Sequence, residues 1–133
     1  MRRVLLVEDS ASMRAFVRAA LTSAHALGEL EIAEAQSGFD ALRLLPRGAW
    51  DLVITDINMP DINGLELISF IKKSESHKNT PILIISTASS ERDRERGMTL
   101  GASGYLVKPF TAEAIVEQAL EQIGAESASG AHA

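Results

Sequence analysis

The chain has no cysteine. This absence excludes disulfide scaffolds, cysteine-ligated zinc, iron–sulfur clusters and thiol chemistry, and it is compatible with a reducing cytosol. Long apolar runs are also missing, since none approaches the ~20 residues of a membrane-spanning helix. Residues 4–7 separate the opening Met-Arg-Arg from Glu8, and four apolar residues are too few for a signal-peptide core. We therefore expect a cytoplasmic protein without membrane insertion.

Positive charge is scarce: 13 Lys and Arg stand against 18 Asp and Glu, for a net charge of −5. Such a field repels nucleic acid and anionic membranes, so we expect no direct nucleic-acid partner. A length of 133 residues with 46% apolar and 23% charged residues is typical of one compact domain. We expect that domain to cover residues 1–123. Residues 124–133 lack large apolar side chains and are expected to form a disordered tail or a linker stub.

Short apolar runs alternate with longer segments of helical spacing, which predicts a βα repeat. Strands are expected near residues 4, 30, 52, 82 and 105, and helices over about 10–21, 38–45, 65–73, 91–100 and 112–123. The runs at 4–7, 52–54 and 82–85 are apolar without alternation, as in a parallel sheet covered by helices on both faces. Residues 31–35 alternate polar and apolar, which predicts an edge strand. The pattern indicates an α/β fold with five parallel strands and five helices.

Four of the five predicted strands end in polar or charged residues: Glu8 and Asp9, Asp56, Thr87, and Lys108. Because the carboxyl ends of parallel strands meet at one edge of the sheet, we expect these side chains to converge there. Each has an ordinary explanation when taken alone. Asp9 or Ser10 could cap the first helix, residues 56–60 could form a simple loop, and Lys108 could be a surface lysine. The combination at four strand ends indicates a site.

Three carboxylates ~5 Å apart would repel one another by about 3 kcal/mol per pair at an effective dielectric of ~20. Lys108 supplies one compensating charge. Carboxylate oxygens without imidazole or thiolate ligands suit a hard divalent cation, and Mg²⁺ in particular takes few protein ligands. We therefore predict a magnesium ion that is shared with a phosphoryl group.

Five motifs occur in order along the chain: V-E-D-S at 7–10, T-D-I-N-M-P at 55–60, Gly64, S-T-A at 86–88, and G-A-S-G-Y-L-V-K-P-F at 101–110. With them, residues 3–123 resemble a receiver domain of the response regulators of two-component signalling. The sequence is most similar to the single-domain CheY type, and S-A-S-M-R at 10–14 strengthens the likeness to chemotaxis members. The resemblance implies a doubly wound, flavodoxin-like sheet with strand order 2-1-3-4-5. It also implies a cis peptide bond before Pro109.

The resemblance further assigns a role to each site residue. Asp56 would be the phosphoacceptor, and Lys108 and Thr87 would contact the phosphoryl oxygens. The implied magnesium ligands are Glu8 (through a water molecule), Asp9, Asp56 and the backbone carbonyl of Asn58. Family members of this kind catalyse only their own phosphorylation and dephosphorylation, and Asn58 and Ser89 stand at positions that modulate the lifetime of the phosphate.

The resemblance implies two protein partners. A sensor histidine kinase would donate the phosphoryl group, and a downstream target would bind the surface made by the charged helix at 91–100, the fifth strand and the last helix. Thr87 would move toward the phosphorylated Asp56, and Tyr105 would turn inward to transmit the change.

Three other functions stay open from the residues. A phosphatase like the haloacid dehalogenases also uses an aspartate after a parallel strand, but it needs a second acid two residues on, where this chain has Asn58. A flavodoxin-like carrier would bind a flavin phosphate after the first strand, where Glu8 and Asp9 would repel it. The chain could also be a receiver cut from a larger regulator or phosphorelay protein.

Overall fold

Five β-strands and five α-helices alternate along residues 1–124, the part of the chain that this computed structural model describes. They are β1 (Arg2–Val7), α1 (Ala11–Thr22), β2 (Leu30–Ala35), α2 (Gly38–Leu44), β3 (Leu52–Asp56), α3 (Gly64–Lys73), β4 (Ile82–Thr87), α4 (Glu91–Leu100), β5 (Gly104–Lys108) and α5 (Ala112–Ile123). Short 3₁₀ turns lie at His25–Leu27, Leu45–Arg47 and Ala88–Ser90. The predicted tail lies outside the described residues except for Gly124.

The strands form one parallel sheet in the order β2-β1-β3-β4-β5. The predicted α/β fold class is therefore confirmed, and so are the strand order implied by the resemblance and the place of β2 at an edge. From β1, the chain adds β2 on one side of the sheet and then β3, β4 and β5 on the other, so the direction of strand addition switches between β1 and β3. Their carboxyl ends consequently border the crevice in which open α/β sheets bind ligands.

Helices cover both faces of the sheet because its central strands are apolar on both sides. In β1, Val4 and Leu6 face the cluster that α1 and α5 complete, while Leu5 and Val7 face the cluster packed by α2 and α3. Helix α4 lies on the second face, where Gly97 approaches Ile84 of β4. The two cores hold the strands rigidly, so side chains at the strand ends project from a fixed frame.

The helix ends follow local capping chemistry. Helix α1 begins one residue later than predicted, because Ser10 is its N-cap and accepts a hydrogen bond from the Met13 N–H at 3.2 Å. Asp9 is therefore not the cap. Helix α5 has the predicted bounds, with the Thr111 side chain as N-cap and Gly124 following at φ 71°.

Helix α4 has the fewest buried residues of the five helices. Of its residues, all of which the structure describes, Gly97 alone is buried, and the charged run at 91–96 faces solvent in whole or in part. Burial therefore contributes little to the stability of α4. Over residues 1–124, none of the helices combines the length and apolar character needed to cross a bilayer.

Candidate functional site

Three acidic side chains meet at the carboxyl ends of β1 and β3. Glu8 is completely buried, Asp56 is 6% exposed, and Asp9 is exposed at the rim. One carboxylate oxygen from each lies within 4.8 Å of the others. The central position of β1 and β3 produces this convergence, since the two strands are direct neighbours with Val7 opposite Thr55.

Lys108 brings the opposite charge into the cluster from the end of β5. Its ammonium nitrogen Nζ donates to Glu8 Oε1 at 2.6 Å and to Asp56 Oδ2 at 3.1 Å. The peptide bond from Lys108 to Pro109 is cis, as the resemblance implied. The structure thus joins four of the predicted site residues through direct contacts or short separations.

Burial and charge shift the pKa values of this cluster. Burial raises the pKa of Glu8 above its usual 4.5, although hydrogen bonds from Lys108 and the Ser10 N–H act in the opposite direction. Burial alone would lower the pKa of Lys108, but its bonds to Glu8 and Asp56 outweigh that effect and raise it above 10.5. Lys108 is therefore a permanent cation at neutral pH.

The carboxylate of Asp56 is oriented by backbone groups as well as by Lys108. Its Oδ1 accepts hydrogen bonds from the N–H groups of Ile57 at 2.7 Å and Asn58 at 3.3 Å, which leaves Oδ2 to Lys108. The first residue of α3 lies close to the backbone of Asp56 and Ile57, because the Gly64 N–H donates to the Ile57 carbonyl at 2.7 Å. A Cβ on Gly64 would lie 2.3 Å from the Asp56 carbonyl oxygen. Only glycine fits there without a backbone shift.

The loop between β3 and α3 is tied to α2 by Asp61, a residue that the sequence reading did not single out. Its carboxylate accepts hydrogen bonds from the N–H groups of Phe39 at 2.9 Å and Gly38 at 3.1 Å. The Phe39 N–H and the neighbouring backbone donors lower the pKa of Asp61 to about 2. The sequence offered only a turn signal, an aspartate after Pro60, and the distant α2 contact is not visible in it.

A group of hydroxyls lies beside the acids, in the loop after β4. The Thr87 hydroxyl is 3.0 Å from Ser89 Oγ and 3.2 Å from Ser90 Oγ, and the Asn58 amide nitrogen donates to Ser90 Oγ at 2.8 Å. Thr87 and Asn58 were predicted site residues. Ser90 was not, because in the sequence it is an ordinary serine ahead of a charged helix.

Tyr105 lies apart from the acids, on the outer surface of β5. Its side chain is 46% exposed, and the Arg94 guanidinium of α4 stands 5.5 Å from the centre of its ring. Arg94 also donates to the Thr87 carbonyl at 2.8 Å. The two residues predicted to form the switch are therefore bridged by one side chain of α4.

The donor set of the acidic cluster fits a magnesium ion. Three carboxylates with oxygens this close together repel unless a cation stands between them, and oxygen ligands are those that Mg²⁺ prefers. Glu8, Asp9 and Asp56 are the residues that would hold it.

A family model described as the response regulator receiver domain matches residues 4–120. The chain belongs to this family. A CheY homologue from Campylobacter jejuni, a chemotaxis protein, is 32% identical over 130 residues, which cover 97% of this chain and 98% of that relative. The receiver domain is thus a CheY-like signalling module, of the kind that works with histidine kinases and downstream targets.

Solved structures show the same fold. A chemotaxis response regulator of Vibrio cholerae is 33% identical, superposes with a TM-score of 0.81, and is matched over 92% of this chain and 98% of that one. The receiver domain of a Pseudomonas aeruginosa sensor histidine kinase is 27% identical, with a TM-score of 0.81 and coverage of 93% and 98%. That structure holds a magnesium ion coordinated in its active-site cleft. Receiver domains bind Mg²⁺ in this cleft, and the acidic cluster described above fits that property.

Proposed function

We propose that this receiver domain, over residues 1–123, accepts a phosphoryl group on Asp56 from the phosphohistidine of a sensor histidine kinase. The observation that carries the proposal is the position of the Asp56 carboxylate. It is buried beside two other acids, and Oδ2 is in contact with a fixed ammonium group at 3.1 Å. A carboxylate held in this way can act as the nucleophile. The ammonium group beside it can neutralise the charge of the phosphoryl oxygens during the transfer.

In the proposed reaction, a carboxylate oxygen of Asp56 forms a bond to phosphorus while the phosphorus–nitrogen bond of the donor histidine breaks. The electron pair of that bond stays on the imidazole. The Lys108 ammonium, already at Asp56, stabilises the charge of the phosphoryl oxygens, and the Thr87 hydroxyl donates to them afterwards. Glu8, Asp9, Asp56 and the Asn58 backbone carbonyl would hold magnesium, which when bound neutralises the same oxygens.

We infer that the output of phosphorylation is a change of the surface formed by α4, β5 and α5, through which the domain would bind a downstream protein. Support comes from Arg94, whose contacts reach both the Thr87 carbonyl and the Tyr105 ring. A movement of Thr87 toward the phosphoryl group would disturb this bridge. Tyr105, half-exposed on the edge strand, would then turn inward, and the equilibrium between the two surfaces would shift.

The proposed setting is chemotaxis signalling in the cytoplasm, which the Campylobacter jejuni and Vibrio cholerae relatives support. No catalytic role beyond the domain's own phosphorylation and dephosphorylation is proposed. Asn58 stands where a phosphatase of the haloacid dehalogenase type needs a second acid, and its amide nitrogen donates to Ser90 Oγ. Sustained phosphate release from a phosphate ester would instead favour the phosphatase.

Mass spectrometry after incubation with acetyl phosphate and Mg²⁺ tests the phosphoacceptor. The native chain is expected to gain one phosphoryl group, and Asp56→Asn none. Asp51→Asn is the matched control, because Asp51 is an exposed aspartate at the opposite end of the sheet, where it accepts a hydrogen bond from the Arg3 N–H at 2.8 Å. An adduct that persists in Asp56→Asn would overturn the assignment.

Amide NMR spectra with and without beryllofluoride, a phosphoryl mimic, test the output surface. In the presence of Mg²⁺ we expect resonances of α4, β5 and α5 to shift in the native chain and to stay in place in Asp56→Asn. Unchanged spectra for this face of the native chain would contradict the proposed switch.

A further inference from the structure

Ser90 occupies the N-cap position of α4 but does not cap the helix. Within the described residues, its side chain accepts no hydrogen bond from the first backbone N–H groups of α4, which is the usual task of a serine at this position. The residue is nevertheless buried, with only 6% of its surface exposed. Its Oγ instead accepts from the Asn58 amide of the β3–α3 loop at 2.8 Å and lies 3.2 Å from the hydroxyl of Thr87 at the end of β4.

The donor is fixed in only one of these two hydrogen bonds. The Asn58 amide nitrogen can only donate, so Ser90 Oγ is the acceptor in that bond. In the Thr87–Ser90 bond at 3.2 Å and the Thr87–Ser89 bond at 3.0 Å, either hydroxyl can be the donor. The buried Ser90 hydroxyl thus has two hydrogen-bond partners, and a chain of such bonds is mutually strengthening.

We propose that Ser90 is a positioning residue that holds the Thr87 hydroxyl away from Asp56 in the unphosphorylated domain. The proposal rests on the proposed function, in which Thr87 turns to the phosphoryl group. For that movement the Thr87–Ser90 bond has to break, whereas the Asn58–Ser90 bond can remain. The exposed Thr87–Ser89 bond contributes little to the free-energy difference between the two positions of Thr87, because water replaces it.

The size of the effect follows from that one bond. The Thr87–Ser90 bond is part-buried, and a typical neutral hydrogen bond corresponds to about a fivefold change in an equilibrium constant. Removal of the Ser90 hydroxyl should therefore raise the population of the active conformation relative to the inactive one by about fivefold. A ligand that binds the active conformation gains apparent affinity by the same factor while that conformation remains a minority.

The experiment titrates beryllofluoride into the domain at saturating Mg²⁺ and follows the amide resonances of the β4–α4 loop. We expect Ser90→Ala to bind beryllofluoride about fivefold more tightly than the native chain. Ser90→Gly also lacks the hydroxyl and suits an N-cap position, so it should show the same gain in beryllofluoride affinity. Ser103→Ala is the control, since it removes a hydroxyl that accepts from the Ile82 N–H at 3.3 Å at the far end of the sheet. Native affinity in both Ser90 variants would overturn the proposal.

A double-mutant cycle separates this role from a structural one. In a Thr87→Val background, Ser90→Ala should cause no further change in beryllofluoride affinity, because the bond in question is already gone. An equal gain in that background would refute the mechanism. In the domain without metal or beryllofluoride, Ser90→Ala should also shift the side-chain amide resonances of Asn58. If the proposed function itself fails, the Asp56→Asn chain will respond to beryllofluoride as the native one does, whereas a failure confined to Ser90 leaves that difference intact.

Discussion

Replacement of Lys108 by alanine should leave a surplus of negative charge at the centre of the site. Each pair among the three acids, at 4.8 Å or less, repels by about 3 kcal/mol or more at an effective dielectric of ~20. Lys108 offsets this repulsion through contacts of 2.6 Å with Glu8 and 3.1 Å with Asp56. Removing one partner of a buried ion pair typically costs about 3–5 kcal/mol, a large share of a total stability of about 5–15 kcal/mol. We expect a loss of that size for Lys108→Ala at neutral pH without Mg²⁺.

Urea denaturation with and without Mg²⁺ measures the effect. Because the variant lacks a cation that competes for the same carboxylates, it should bind Mg²⁺ more tightly and recover more of its stability on Mg²⁺ addition than the native chain gains. While the neighbouring acids are ionised, the raised pKa of Lys108 means that its contribution is complete below pH 10.5. The deficit should therefore be constant through neutral pH and shrink as pH rises through the folded-state pKa. Lys73→Ala, which removes an exposed lysine on α3, should stay within about 0.5 kcal/mol of native.

Two results would refute the reasoning. One is a Lys108→Ala variant as stable as the native chain at neutral pH without Mg²⁺. The other is a destabilised variant in which Mg²⁺ restores no more stability than it adds to the native chain, because the loss would then not arise from unbalanced acids.

Two further substitutions test the loop between β3 and α3. Gly64→Ala should lose about 1–3 kcal/mol in urea denaturation and weaken Mg²⁺ binding, since its Cβ would lie 2.3 Å from the Asp56 carbonyl oxygen. Gly97→Ala is the comparison, because its Cβ would meet the ends of three side chains and no backbone atom, and an equal loss there would contradict the argument. Asp61→Asn should be less stable than native above pH 3.8, and this deficit should shrink as pH falls through about 2, because the native carboxylate then loses its own stabilising charge. A deficit that is constant between these pH values in denaturation curves would exclude the bond to α2 as its cause.

Much of the fold and part of the site could be predicted because short-range chemistry determines them. Apolar runs without alternation identify strands buried on both faces, and the alternation in residues 31–35 identifies an edge strand. Thr111 and Gly124 mark both ends of α5 because caps are local hydrogen-bonding arrangements. Polar residues directly after apolar runs identify the strand ends where the site lies. One local prediction was off by a residue: α1 begins at Ala11, and Ser10 is its cap and not its first residue.

Contacts between distant segments could not be predicted in this way. Ser90 is an ordinary serine in the sequence, and only the packing of the loops after β3 and β4 brings the Asn58 amide to its hydroxyl. Asp61 reads as a turn residue, and its bonds to α2 exist because the sheet order places that helix beside the loop. The sequence by itself determined which residue types stand at the strand ends. The tertiary structure alone decided which of them touch, because a hydrogen bond depends on distances of a few tenths of an ångström between segments that the chain separates by tens of residues.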